Sequence, residues 1–390
     1  MFKQEERKVE YLELIYDLVF VYMVGRNNAL LSNFENGFVS GGAFFSYILC
    51  TLAIIQIWNF TTFYINMFGR NGVRDHVFLL TNMYLMYFIG ESTRFDWHAY
   101  QVQYHVAWAL ILINIGAQYM IELRNHHADV WNRDIIKRMA TTLFVEPAIV
   151  LAAAFVSPQI APFLSLAAIF SGIILTTLSR NISPAGAVDF MHLTERAMLY
   201  VVFTFGEMII VVSAYFIGKG NFDPSVIYFS LMAFLIVAGL FVSYEIFYDH
   251  LLDREMENNG MLYMMIHIFL IFALGCITVS LEFMREEEVS LRPKVIFITV
   301  SIIGYFVFMI CTGLYAKKKC RLTPAFLLRQ AAAAAAFVIL MMVFMENMKV
   351  NIFVTVVYVW SAVAEMLRAK RIIGTCESGD VPADSLQGEK

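Results

Sequence analysis

The chain has 390 residues, of which 59% are hydrophobic and 15% are charged, and its formal net charge is −4. Soluble globular proteins carry nearer a quarter charged residues, so this composition indicates a protein of the lipid bilayer. The small net charge and the lack of a basic segment argue against a nucleic-acid partner. The five cysteines have no metal-type spacing, so we expect neither a metal site nor a cofactor.

Twelve apolar segments are long enough for a helix that crosses a hydrocarbon core, which takes about 20 residues. In chain order they cover residues 11–31, 38–66, 76–93, 99–121, 139–156, 161–180, 194–217, 223–248, 261–283, 293–315, 325–345 and 349–369. No cleavable signal peptide is visible, because the first apolar run contains Glu13 and Asp17 and lacks a small-residue cleavage site. The sequence therefore predicts an all-α integral membrane protein of about twelve transmembrane helices.

The lysine and arginine residues predict the orientation of these helices. With the N-terminus inside the cell, cytoplasmic segments hold 21 of the 28 basic residues and outer segments hold six, while Arg26 lies inside the first helix. Cytoplasmic loops carry an excess of basic residues, so this asymmetry predicts a plasma-membrane protein with both termini in the cytoplasm. Residues 372–390 are polar and are expected to form a disordered cytoplasmic tail.

Two short matches suggest an internal duplication. FYINMFGR at 63–70 aligns with FYDHLLDR at 247–254, and YDLVFV at 16–21 aligns with GEMIIV at 206–211, which places Asp17 over Glu207. We interpret residues 1–185 and 186–371 as two six-helix repeats. Since six is an even number, the repeats would have parallel orientation, related by an axis along the membrane normal.

The first and seventh helices contain acidic residues where charge is costly, so these residues are candidates for a functional site. Glu13 and Asp17 are four residues apart and lie on one helical face. Two close, partly desolvated carboxylates tend to share a proton, which suits a proton relay. The alternative is that each is paired with an arginine or a helix end and only fixes the packing.

Glu207 lies roughly 20 Å along the seventh helix and is the strongest single candidate for a proton or ion site. Glu195 and Arg196 lie at the inner end of the same helix, where they are candidates but are also explained as a helix start. His267 in the ninth helix suits a relay or a packing role. Asn66 and Asp249 end the second and eighth helices on the inner side, where the hydroxyl of Tyr64 suits a polar vestibule.

The first signature, YLELIYDLVFVYMVGR at 11–26, resembles the opening of the low temperature requirement protein A (LtrA) family, W-L-E-L-F-Y-D-L-V-F-V. WNFTTFYINMFGR at 58–70 and TERAMLYVVFTFGEMIIVV at 194–212 extend the resemblance. It points to Glu13, Tyr16, Asp17, Glu195, Arg196, Glu207 and His267. Phe205 replaces the family's leucine before Gly206 and Glu207, and the acidic run that follows Asn66 in the family is missing. The resemblance implies a bacterial inner-membrane protein linked to growth at low temperature, and no settled substrate.

Four functions fit these patterns to different degrees. A transporter or proton-coupled carrier fits the helix number, the duplication and the buried acids. An ion channel, a membrane enzyme acting on lipid, and a structural or regulatory membrane protein are the alternatives. We expect no enzymatic activity, because the chain has no HExxH, no GxSxG and no cysteine pair. The expected partners are the bilayer and a proton or small ion or solute, and the assembly of a homodimer stays open.

Overall fold

The computed structural model describes residues 9–32, 34–94, 97–125, 130–179, 188–214, 223–256, 258, 260–317 and 323–377. These residues form twelve α-helices: α1 (Tyr11–Asn28), α2 (Gly41–Phe68), α3 (Val73–Ser92), α4 (Trp97–Asn125), α5 (Val130–Phe155), α6 (Ala161–Ser179), α7 (Phe190–Ser213), α8 (Pro224–Ile246), α9 (Met261–Phe283), α10 (Leu291–Thr312), α11 (Pro324–Val343) and α12 (Met348–Glu377). Ten of them, all except α1 and α3, are long and apolar enough to cross a membrane. Between α1 and α2, β1 (Phe34–Glu35) pairs antiparallel with β2 (Phe38–Val39). Apart from this short hairpin, the regular structure of the described residues is helical, with ten candidate membrane spans.

Polar caps fix several helix starts. The side chains of Ser40, Asp223 and Thr323 accept hydrogen bonds from backbone N–H groups in the first turns of α2, α8 and α11. Proline follows the cap in α8 and in α11. Proline lacks a backbone N–H, and at the first position of a helix that N–H would have no intrahelical acceptor. These caps explain why the helix starts differ from the apolar segments by a few residues.

Two helices begin well before the apolar segments predict. α5 starts at Val130 instead of residue 139, and α7 starts at Phe190 instead of residue 194. Hydropathy identifies only the apolar part of a helix, whereas α5 begins with the largely polar stretch VWNRDIIKR and the first two turns of α7, FMHLTER, include four polar residues. Arg196 therefore lies in the second turn of α7 and does not mark its start.

The chain divides into two compact units, and the boundary falls inside α7 and α9. The first unit comprises Met1–Glu207, Arg254–Val279 and Glu286–Ser290, and the second comprises Met208–Asp253, Ser280–Arg285 and Leu291–Lys390. The six-helix repeats at 1–185 and 186–371 stay a prediction. The tail beyond residue 377 lies outside the described residues.

Helix directions alternate in the first unit. α1, α3, α5, α7 and α9 run one way, and α2, α4 and α6 run the other way. Residues that are neighbours at two levels fix the relative direction of each two helices. They are Asp17–Trp58 and Asn27–Thr51 for α1 and α2, Tyr16–Asn82 and Met23–Gly90 for α1 and α3, Arg74–Glu122 and Asn82–Asn114 for α3 and α4, and Leu143–Gly116 and Ala153–Gln101 for α4 and α5. They are Phe45–Phe163 and Gln56–Ile169 for α2 and α6, Glu13–His192 and Asp17–Arg196 for α1 and α7, and Asn59–Met264 and Tyr47–Phe272 for α2 and α9. This alternation is what consecutive crossings of a membrane require.

In the second unit, α8 and α12 run parallel and α11 runs against α12. The Tyr228 hydroxyl donates to the Lys349 carbonyl and Trp360 Nε1 donates to the Leu235 carbonyl, at 2.8 and 3.0 Å. A methyl group at Gly239 would meet Val359 and Trp360, so this glycine lets α8 and α12 approach closely. The second unit thus packs through small and apolar residues.

Candidate functional site

Helix α1 has its polar face inside the protein and its apolar face outside. Glu13 and Asp17 are 3% and 0% exposed, whereas Tyr11, Ile15 and Tyr22 on the other side are more than half exposed. A water-soluble helix has the opposite arrangement, with apolar residues towards the core. The inverted pattern suits a helix whose outer face contacts lipid and whose charges contact the protein.

Helix α7 brings the partners of these carboxylates. Asp189 caps its first turn, since Asp189 Oδ1 accepts a hydrogen bond from the His192 backbone N–H at 3.0 Å. His192, Arg196 and Tyr200 follow at intervals of four residues and therefore share one face of the helix. All three side chains are buried, and Arg196 is 0% exposed.

Arg196 forms ion pairs with both carboxylates of α1. Its Nη1 lies 2.6 Å from Glu13 Oε2, its Nη2 lies 2.5 Å from Asp17 Oδ1, and its Nε lies 3.0 Å from Asp17 Oδ2. The pairing with Asp17 is bidentate, which is the strongest geometry for arginine and a carboxylate. One arginine therefore neutralises one of the two negative charges and contacts both.

Arg196 holds the two carboxylates in different geometries. Asp17 accepts two bonds from Arg196 and a third from Trp58 Nε1 at 2.7 Å. Glu13 accepts one bond from Arg196 and has His192 Nε2 at 3.4 Å. The pairing of Arg196 is therefore bidentate with Asp17 and single with Glu13.

Asn66 fixes the tautomer of His192. Asn66 Oδ1 accepts a hydrogen bond from the Asp189 backbone N–H at 3.0 Å, so its Nδ2 faces His192 Nδ1 at 3.1 Å and donates to it. A neutral imidazole that accepts at Nδ1 carries its proton on Nε2, the atom that faces Glu13.

We refer to Glu13, Asp17, Trp58, His192 and Arg196 as the α1–α7 cluster. It contains two acids and one arginine, all of them buried, and burying a charge is costly unless it is paired. Arg196 pairs with both acids, and it contacts Glu13 through a single hydrogen bond.

The other predicted site residues of the first unit lie outside this cluster. Glu207 is partly exposed and lies against Gly25 of α1. Gly25 is eight residues after Asp17, which is roughly 12 Å along α1. Tyr16 shares a hydrogen bond of 2.9 Å with Thr61. His267 is buried on α9, where its Nδ1 donates to the Tyr263 carbonyl at 2.9 Å.

Tyr64, Glu195 and Asp249 also lie apart from the cluster. Arg74 Nη2 donates to the Tyr64 hydroxyl at 3.3 Å, and Arg74 Nη1 pairs with the buried Glu122 at 2.5 Å. Glu195 is partly exposed on α7. Asp249 is exposed and belongs to the second unit, in the π-helical turn Phe247–Leu251 that follows α8.

Sequence reasoning missed His192 and Trp58 as members of the site. His192 is four residues before Arg196, so the spacing rule that grouped Glu13 with Asp17 would have grouped this pair as well. Trp58 gave no comparable signal, because a tryptophan in an apolar helix is ordinary. Its role depends on the side of α2 that faces α1.

The comparisons with known proteins support one family. The model of the family "Bacterial low temperature requirement A protein (LtrA)" matches residues 8–362, nearly the whole chain. No curated protein and no solved structure matches the chain. The matched range includes every residue of the α1–α7 cluster, and it confirms the resemblance that the first and seventh helices suggested. The chain therefore belongs to the LtrA family of membrane proteins.

Proposed function

We propose that this LtrA-family protein is a proton-coupled transporter and that the α1–α7 cluster is its proton-binding site. The observation that carries the proposal is the fully buried set of two carboxylates and one arginine, in which Arg196 contacts Glu13 at 2.6 Å and Asp17 at 2.5 Å. Acidic and basic side chains that are buried at membrane depth and pair with one another are typical of proton-binding sites.

Glu13 is the proton acceptor in this proposal, and Asp17 with Arg196 is a lasting ion pair. The contacts with Arg196 support this division, because Asp17 pairs with it through two hydrogen bonds, at 2.5 and 3.0 Å, and Glu13 through one, at 2.6 Å. A proton on Glu13 weakens its attraction to Arg196. Protonation therefore loosens one of the links between α1 and α7, and deprotonation restores it.

The proposal includes a topology in which α1 and α3 also cross the membrane, giving twelve spans. The alternating helix directions of the first unit support it. So do the exposed apolar faces of the two helices, with Ile15, Leu18 and Tyr22 on α1 and Leu80 and Tyr84 on α3. The six-helix repeats, the cytoplasmic termini, the plasma-membrane location and the role in growth at low temperature belong to the same proposal. It includes no enzymatic activity.

The proposal is tested by applying pH jumps to proteoliposomes on a solid-supported membrane electrode and recording the charge displaced. Wild-type protein should give a transient displacement as the cluster binds a proton. Glu13→Gln should abolish it, because the amide leaves Asp17 and Arg196 as a neutral pair and removes the proton acceptor. Adding candidate solutes to the wild-type sample should convert the transient into a sustained current for the transported solute.

Glu346→Gln is the matched control. Glu346 is an exposed glutamate whose side chain is 84% accessible, so the same change of chemistry there should leave the displacement intact. A wild-type protein without a pH-driven displacement would contradict the proposal. An unchanged displacement in Glu13→Gln would contradict the assignment of the proton site.

A further inference from the structure

Glu146 on α5 is a second buried acid that the α1–α7 cluster does not include. Its side chain is 0% exposed, and Glu146 Oε2 accepts a long hydrogen bond of 3.4 Å from Gln56 Nε2. Gln56 also donates to the Ile169 carbonyl of α6 at 3.0 Å. The carboxyl therefore lies where α2, α5 and α6 meet.

Several oxygen atoms at this junction lack a hydrogen-bond partner among the described residues. They are Glu146 Oε1, Gln56 Oε1 and Thr176 Oγ1. Thr176 is one turn beyond Gly172, and a methyl group at Gly172 would meet both Glu146 Oε2 and Gln56 Nε2. The junction thus has more acceptor atoms than donors, and a glycine gives the carboxyl its space.

No basic side chain faces Glu146 in the part of the chain that the structure describes. α6 contains no ionisable residue between Ala161 and Ser179. On α4, Gln101 contacts Ala153 and Gly116 contacts Leu143, so the part of α4 beside Glu146 lies between Gln101 and Gly116. The ionisable residues in that part are Tyr104 and His105. On α2 and α5 the ionisable residues are Tyr47, Cys50, Tyr64, Arg133, Asp134, Lys137 and Arg138.

These groups do not supply a counter-charge to the carboxyl. His105 bonds the Gln101 carbonyl through Nδ1 and Ser165 through Nε2, at 2.7 and 2.8 Å. Arg138, the nearest basic residue along α5, is two turns or roughly 12 Å away. A buried carboxylate without a counter-charge is far more costly than a neutral carboxylic acid, so the group takes up a proton instead.

We propose that Glu146 is a second proton-binding site, in which the carboxyl holds a proton in the folded protein at neutral pH and Gln56 orients it. Gln56 and Trp58 are two positions apart on α2 and face different sides of it. α2 therefore separates this site from the α1–α7 cluster. The inference goes beyond the proposed transport function and holds whether or not the chain transports a solute.

The test is infrared spectroscopy of the full-length protein in lipid vesicles at neutral pH. In the difference between wild type and Glu146→Gln, the band lost should be the C=O stretch of a protonated carboxylic acid. In the difference between wild type and Glu346→Gln, the bands lost should be those of a carboxylate, because Glu346 is exposed. Loss of carboxylate bands in Glu146→Gln would overturn the proposal.

Gln56→Leu gives a second measurement that retains the carboxyl. Without the amide donor, the C=O stretch assigned to Glu146 should move to higher frequency, as expected for a carbonyl released from a hydrogen bond. An unmoved band would overturn the role of Gln56. Wild-type spectra in sodium chloride and in choline chloride should be identical. A protonated band that appears only in choline would show that the site binds sodium, which would also overturn the proposal.

Discussion

Two buried acidic sites lie on different sides of α2, and they meet the cost of burial differently. In the α1–α7 cluster, Asp17 accepts hydrogen bonds from Arg196 and Trp58 at distances up to 3.0 Å. Glu146 has a single amide donor at 3.4 Å and no basic partner among the described residues. The first site keeps a charge by pairing it, and the second is consistent with a neutral acid.

This difference predicts opposite responses to loss of charge. Removing one member of a paired set leaves the other members buried and uncompensated, which costs more than the pair contributed. Replacing a neutral acid by an amide of the same shape leaves nothing uncompensated. Stability measurements on the two sites therefore test the comparison directly.

The largest effect is expected for Arg196→Gln. This change removes the positive charge that contacts both buried carboxylates, so we expect the free energy of unfolding to fall by about 3–5 kcal/mol. Equilibrium unfolding of the purified protein in detergent micelles measures it. The triple variant Glu13→Gln, Asp17→Asn, Arg196→Gln removes all three charges and should recover part of the loss.

Arg292→Gln is the control for the loss of an arginine. Arg292 pairs with Glu346 at 3.5 Å, and both side chains are more than two thirds exposed. An exposed pair contributes little, so its removal should change stability very little. Equal losses in Arg196→Gln and Arg292→Gln would show that the cluster is not an effective buried ion pair.

The sequence predicted three members of the cluster, Glu13, Asp17 and Arg196, and not the contact of Arg196 with the two acids. The spacing of Glu13 and Asp17 places them on one face of α1 whatever the fold, so this pair was predictable from local geometry. Arg196 is 179 positions from Asp17, and its role depends on the packing of α7 against α1. Pairing with an arginine was one of two interpretations of Asp17, and only the packed structure could identify that arginine.

Sequence and structure also rank the deep acids differently. Glu207 is far along an apolar helix and was the strongest candidate, yet it is partly exposed beside Gly25. Glu146 is not among the predicted site residues, yet it is fully buried. Depth along one helix does not predict burial, because the side of the helix that faces lipid or protein is set by its neighbours. The ten apolar spans, by contrast, follow from local hydropathy alone.

An intermediate effect is expected where α6 approaches Glu146. A Cβ atom at Gly172 would overlap Glu146 and Gln56, so Gly172→Ala should lower the free energy of unfolding by about 1–3 kcal/mol. Gly206→Ala is the matched control, because a Cβ atom there meets open space. In the same unfolding assay Gly206→Ala should be neutral or slightly stabilising, since alanine favours helix over glycine. A harmless Gly172→Ala would mean that the carboxyl moves aside at little cost.

The smallest effect is expected for Glu146→Gln, a change of less than about 1 kcal/mol in the free energy of unfolding. The amide has the volume of the acid, and its oxygen still accepts the hydrogen bond from Gln56. Asp17→Asn makes the same chemical change in the paired site and should cost clearly more, because Arg196 then has only Glu13 as a charged partner. If Glu146→Gln were as costly as Asp17→Asn, Glu146 would have to be ionised, and both sites would then keep their charge in the same way.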